Sequence, residues 1–582
     1  MPRGPRSAST DPYPKDGMYG KVNSAARDAE RHVSSEETGV RRSGRARYGS
    51  AAVVSALLLA LGSGLAACGD SASADVQKML DGYASALGEG KAVAAAAYTS
   101  SPDAAGGVIG RTLRDMNAKT VEVKASNVQR YSGGNATFDV KTHWNFGDGR
   151  DWDYTTKGSA SQLSIGWRIS WDPAVLAPGL TPDTAIRQIR TDAKAPKVFA
   201  ADKSELMFAG TVHRLTVDPN KTKNLTDSLN RVAKIVSPVA PLVTPESLAA
   251  KAKADPGKPV PVVDLRDDDY GVLGDALTAV PGLQDTTAGD LLIANRQLFS
   301  PLFEGIKGAW QANRDATAGW EVQLITNGKP PTKIVGFQGP PGPDLRTAMD
   351  PKVQLDVENA VVQLGQPAAM VVVSVSTGAV LAAAQNTQAS AIATDWALTG
   401  LSTTGPVLAP LYSEVNAAAG NDAGKQAKLL APLGMGTDFA MTGVKTRTAE
   451  LPGTDGRGAA ELGADTVKAS PFGMAVFASA IAKGKTTAPY VVQGQTAKPS
   501  APLGDVDEKI LTAVRAKMDA TVSPSGDGGD LVATKAKGLV GTNGPQGPGW
   551  FIGYRGDQAF AIMVSGERSG SGSLQVAGAY LK

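Results

Sequence analysis

The chain is 582 residues long, more than one hydrophobic core usually serves, so about three folded domains are expected. Its composition, 42% hydrophobic and 20% charged, is that of an ordinary soluble globular protein, and a net charge of +3 with dispersed basic residues argues against a nucleic-acid partner. Three histidines far apart (His32, His143, His213) and a single cysteine exclude an internal disulfide and argue against a histidine or thiolate metal site.

Residues 1–50 are polar, rich in Arg, Ser and Gly, and lack an apolar period; they are read as disordered and absent from the mature protein. Ala51–Cys68 is apolar, follows the basic Arg41, Arg42, Arg45 and Arg47, and ends in small residues, the layout of an export signal. A permanent transmembrane helix is the competing reading, but a run of about 17 residues is at the short edge of a span. Leu65-Ala66-Ala67-Cys68 resembles a bacterial lipobox. The resemblance implies that Cys68 is the lipid attachment site and the mature N-terminus, with two acyl chains anchoring the protein at the outer face of the membrane. The start is either Met1, with a long cytoplasmic lead, or Met18.

A helix is expected from near Asp75, where Val76, Met79, Leu80, Tyr83 and Leu87 share one face. Alternating strands follow at 136–140, 142–144 and 163–165, so residues 68–180 read as a small α+β domain. It closes on a half-buried strand, Trp167 to Trp171, ended by Asp172-Pro173. This close resembles the end of the nuclear-transport-factor-2-like domain of some Gram-positive penicillin-binding proteins, including methicillin-resistance transpeptidases. Such a cone-shaped sheet can hold a ligand. No convergent polar set stands out in the sequence, so a structural spacer is the favoured reading.

Residues 181–345 are mixed and rich in Pro, Gly and charge. Within them, Val260 to Tyr270 resembles a stretch of the same family's pedestal, or dimerisation, domain. Asp267, Asp268 and Asp269 read as a solvated turn after a strand, since no further oxygen ligands stand at loop spacing. Gly336–Asp344, with its Gly-Pro-Pro-Gly-Pro run, is expected to be a stiff linker and a domain boundary.

Residues 346–582 open with Asp350-Pro351 as helix cap and first turn, followed by the stripe Val353, Val357, Ala360, Val361 and Leu364. A hairpin is expected from Met370–Val375 and Val380–Ala384 around Ser376-Thr377-Gly378. This order, with Val467 to Ala482, Gly549 to Tyr554 and Ala559 to Val564, resembles the penicillin-binding transpeptidase module, which is serine-β-lactamase-like. The resemblance, to class-B-like members with degenerate motifs, implies a multi-domain α+β and α/β fold of N-terminal domain, pedestal and transpeptidase-like module. No glycosyltransferase domain is expected.

The family's acyl transfer needs Ser-x-x-Lys as nucleophile and base, Ser-x-Asn, and Lys-Thr/Ser-Gly. Aligning Gly405 with the family's glycine puts Pro406 at the nucleophile and Ala409 at the base. No Ser-x-x-Lys occurs in the chain; Ser402 and Ser413 lie nearby without a lysine three residues on. Ser413 and Asn416 are spaced one too long for Ser-x-Asn, and the segment that should carry that motif reads as deleted. Ser228-Leu229-Asn230 has the letters but falls in the pedestal. In the third motif Gly541 and Thr542 match, Leu539 replaces lysine and Val540 threonine, and Lys537 shares the Leu539 face of a strand. Ser402, Ser413, Asn416, Lys537, Gly541 and Thr542 are therefore a possible residual cleft, with no catalytic residue. A non-catalytic lipoprotein acting in cell-wall synthesis is expected, with peptidoglycan or cell-wall synthesis proteins as partners and no cofactor. The alternatives are an active D,D-transpeptidase with a displaced serine and a ligand-binding lipoprotein working through its N-terminal domain.

Overall fold

The structure is a computed structural model and describes residues 70–453 and 461–582. The signal segment and Cys68 lie outside the described residues.

Helix α1 (Asp70–Gly88) buries Val76, Met79, Leu80, Tyr83 and Leu87, the face expected from their spacing. The shorter α2 (Ala92–Ala96) and α3 (Pro102–Met116) complete a helical layer, α3 starting on a proline whose missing N–H costs nothing there. Four antiparallel strands follow in sequential order: β1 (Thr120–Tyr131), β2 (Asn135–Asn145), β3 (Asp151–Leu163) and β4 (Gly166–Ile169). Strand β2 joins the two runs expected at 136–140 and 142–144, and alternation buries Ala136, Phe138, Val140, Thr142 and Trp144 on one face. The strand expected at 163–165 is corrected. Strand β3 ends at Leu163, and Ser164-Ile165 is the hairpin turn, because Gly166 takes φ 98° and reverses the chain; Ile165 is left exposed. The closing strand expected over Trp167–Trp171 stops earlier, at Ile169, and Asp172 instead caps the 3-10 turn Pro173–Val175, its carboxylate accepting from the Ala174 N–H at 2.9 Å.

The middle region forms β5 (Thr184–Thr191), β6 (Val198–Phe199), β7 (Glu205–Val217), α4 (Leu225–Val236), α5 (Pro245–Ala254), β8 (Val260–Arg266), α6 (Asp267–Thr278) and β9 (Leu283–Ile293). After α7 (Leu302–Thr317) come β10 (Gly319–Thr326), β11 (Thr332–Phe337) and β12 (Leu345–Arg346). The acidic triplet is not a turn but the first turn of α6, where three carboxylates offset the positive end of the helix dipole. Asp269 also pairs with Arg296 at 2.8 Å, and among the described residues no group of side chains could hold a metal ion. Two cores cross the expected boundaries. Ile186, Trp320 and Val322 belong to the N-terminal core, so the sheet β11-β10-β5 contributes to it. Gly336 still lies in β11, and after an irregular 338–344 the chain pairs β12 in parallel with β6, with Leu345 and Met349 in the core of the last region.

That region begins with α8 (Pro351–Val362), capped by the Asp350 carboxylate on the Lys352 and Val353 N–H groups. The expected hairpin is β13 (Ala368–Ser374) and β14 (Val380–Gln385). Then come α9 (Thr387–Ile392), α10 (Trp396–Thr399), β15 (Ser402–Thr403), a 3-10 turn at Gly405–Leu408, α11 (Ala409–Ala419) and α12 (Ala423–Leu430). Two-residue strands β16 (Phe439–Ala440), β17 (Ala449–Glu450), β18 (Lys468–Ala469) and β19 (Lys498–Pro499) surround α13 (Pro471–Lys483). Last are α14 (Glu508–Thr521), β20 (Lys537–Thr542), β21 (Gly549–Arg555), β22 (Gln558–Val564) and α15 (Ser569–Leu581). The five long strands make one antiparallel sheet, β14-β13-β22-β21-β20, with both ends of the region meeting at its centre. Phe560, Ile562 and Val564 face a core shared with α8 and α15, while Ala561 and Met563 face one shared with α13. Helix α13 is buried all round and starts on Ser470, whose hydroxyl accepts from the Gly473 N–H at 2.9 Å. At 13 residues it is a core helix; among the described residues no helix is long and apolar enough to cross a membrane.

Candidate functional site

The sheet edge formed by β20 is where the aligned positions converge. Pro406 and Ala409 sit at the 3-10 turn and the start of α11, both exposed, and that turn packs against β20. Gly405 takes φ 59°, a left-handed conformation that favours glycine, and a side chain there would also meet Asn543. Gly541 backs directly onto the turn: an ideal Cβ on it would stand 2.8 Å from the Val407 nitrogen and 3.0 Å from its Cα. The strand and the turn therefore touch through their backbones.

Side chains fasten the same seam. The Trp550 indole N–H donates to the Thr403 carbonyl at 3.0 Å, and the Asn543 amide donates to Thr403 Oγ1 at 2.9 Å and to Asp465 Oδ1 at 2.8 Å. Behind it, Thr404 and Tyr412 hydroxyls are hydrogen-bonded and buried, and burial pushes the Tyr412 phenol far up. Leu539 is 1% exposed, in the same core as Val407, Leu408 and Leu411. Sequence reading missed Thr403, Asp465 and Asn543; the usable signal was Trp550, a buried indole that needs an acceptor.

The other candidates are dispersed. Lys537 pairs with Asp519 of α14 at 2.8 Å, and that hydrogen bond holds its ammonium above the usual lysine range. Ser402 is half-buried in β15 opposite Ala469, and the neighbouring Lys468 is tied to Glu450 at 3.4 Å. Ser413 is exposed on α11, while the Asn416 amide, one turn on, clasps the Leu462 backbone in both directions at 2.8 and 3.0 Å. Thr542 points to the opposite sheet face, its hydroxyl donating to the Gly544 carbonyl at 3.0 Å. Ser228 lies buried in α4, bonded to Thr222 at 2.9 Å, and makes no part of this seam.

The Gly541 contact carries a stability test. Gly541→Val should push the 3-10 turn off β20 and lower stability by about 1–3 kcal/mol, read as a drop in the urea midpoint. Gly289→Ala, where an added Cβ meets nothing within 4 Å, should leave that midpoint nearly unchanged.

In the N-terminal domain the inner sheet face is filled. Trp144, Phe138 and Trp152 share one buried core with residues of α1 and α3, and Tyr154, pushed up to about 12 by burial, donates to the Leu176 carbonyl at 2.6 Å and accepts from the Trp144 indole at 3.0 Å.

Residues 75–184 match the family model described as the NTF2-like N-terminal transpeptidase domain. The match joins this domain to penicillin-binding-type transpeptidases and to a transpeptidase-related role in the cell wall. A comparison with curated proteins returns no match.

Proposed function

We propose that the chain is a catalytically inactive penicillin-binding-protein homologue, lipid-anchored at the outer face of the cytoplasmic membrane, that scaffolds or regulates peptidoglycan synthesis. The observation that carries this reading is the sealed seam: Pro406, Ala409 and Leu539 stand where the resemblance calls for nucleophile, base and substrate-binding lysine, and Gly541 abuts the Val407 backbone. The arrangement of β13, β14 and β20–β22 in one sheet supports treating residues 346–582 as the transpeptidase-like module. Acyl transfer in such a site would need a hydroxyl and an unprotonated amine within hydrogen-bond reach of each other. Lys537 and Lys468 are both held by carboxylates instead. Labelling with a fluorescent penicillin tests the reading; an adduct on Ser402 or Ser413 would favour the displaced-serine enzyme.

The anchor is tested separately. Wild-type protein should partition with membranes and carry a diacylglyceryl-modified Cys68 as its N-terminus, and Cys68→Ala should abolish the modification. A mass spectrum showing Cys68 unmodified and still joined to Ala67 in the exported protein would rule the lipoprotein out.

A further inference from the structure

The N-terminal sheet has a second face, and it is not packed. Thr137, Asp139, Lys157 and Ser159 alternate with the buried Phe138, Thr156 and Ala160, so they stand on the side away from the helices. The register Gln129 opposite Thr137 brings the end of β1 onto the same side, and an irregularity between Ser126 and Gln129 bends that strand. The result is a trough across β1, β2 and β3 of about 560 Å³, with Ser170 and Asp172 at its rim. That volume is in the range of small-molecule sites, roughly 300–1,000 Å³.

The lining has a definite chemistry. It offers amides (Asn127, Gln129), hydroxyls and an aromatic ring, Tyr131, that is 53% exposed. The polar groups are already oriented. Asn127 donates to Asp139 at 2.8 Å, and the Tyr131 hydroxyl lies 3.3 Å from Gln129 Oε1 and 3.4 Å from Thr137 Oγ1. Lys157 stands directly across from Asp139, and the second carboxylate of the lining, Asp172, is turned to the Ala174 N–H at 2.9 Å, so the floor of the trough carries one charge of each sign. An anion or a cation would meet its own sign here. A neutral ligand rich in hydroxyl and amide groups would not, and its ring faces could lie on Tyr131. Three strands spaced about 4.8 Å apart give a floor roughly 10 Å wide, enough for two or three pyranose rings.

We infer that this trough is a binding site for a neutral oligosaccharide. The proposed cell-wall role enters only through the choice of probe, the soluble β-1,4-linked N-acetylglucosamine tetramer, with the maltose-type α-1,4-linked tetramer as comparison. Titration calorimetry on the purified full chain in detergent should show saturable binding of the first and at least about tenfold weaker binding of the second, a difference of roughly 1.4 kcal/mol. Tyr131→Ala and Lys157→Ala are surface changes and should each leave the unfolding midpoint in place. Tyr131→Ala should weaken binding about tenfold, the scale of one lost ring contact and its hydrogen bonds. Absence of saturable binding to either tetramer overturns the inference, as does binding that neither variant alters. Penicillin labelling is read on the other region, so its outcome and this one fail independently.

Discussion

Incubated with a fluorescent penicillin at ordinary labelling concentrations, the purified chain is expected to carry no covalent adduct and to turn over no pentapeptide. Acylation requires a hydroxyl oxygen to attack the lactam carbonyl while a base takes its proton. Pro406 has no hydroxyl and Ala409 no amine. The lysines on the two strands beside the turn are charge-paired, Lys468 of β18 with Glu450 and Lys537 of β20 with Asp519. Loss of nucleophile and base together costs about 10⁶-fold in turnover in a comparable serine enzyme, which leaves nothing a gel would register. Restoring Pro406→Ser with Ala409→Lys should give a folded protein, because both positions are exposed, and still no label. A time-dependent adduct mapped by peptide mass to Ser402 or Ser413 would overturn the inactive reading.

The elements that were legible are those whose residues report local rules. The α1 stripe, the Asp350 cap and the β13–β14 hairpin each depend on periodicity or a cap within a few residues. Two local readings failed for local reasons. Ile165 looked like a strand residue until Gly166 made it a turn, and the aspartates after β8 looked like a solvated turn although acidic residues are also what a helix start favours. The domain boundaries were less legible, since a core is a property of distant residues. Nothing near Leu345 announces a parallel pairing with β6, nor anything near Trp320 its place in the N-terminal core. The seam at β20 was half legible. Pro406, Ala409 and Leu539 could be singled out through the resemblance, but the backbone contact of Gly541 with Val407 joins segments more than a hundred residues apart. The outer trough was missed because its residues, taken singly, are what any solvated strand face carries.

Leu539→Lys, the change that would restore the third motif, should destabilise the protein more than either change at the first motif. Leu539 is 1% exposed and shares a core with Val407, Leu408 and Leu411, so the introduced ammonium would be placed inside that core. Leu539→Met conserves volume and should cost less than about 1.5 kcal/mol. Leu539→Ala should cost about 2–5 kcal/mol through lost burial and a cavity. The lysine adds to lost packing a desolvation penalty of several kcal/mol, reduced only as far as the side chain can lose its proton or reach solvent past Pro406. The sign of its pH dependence follows. Burial lowers an ammonium's folded-state pKa below its unfolded value near 10.4, so between the two the unfolded chain binds more protons and stability rises with pH. Urea midpoints of Leu539→Lys should therefore lie well below those of Leu539→Met at pH 7, and the gap should narrow as the pH approaches 10. A variant as stable as wild type, with a gap that stays flat with pH, would mean that position 539 opens onto solvent, and the seam between β20 and the Gly405–Leu408 turn would have to be read as an open cleft.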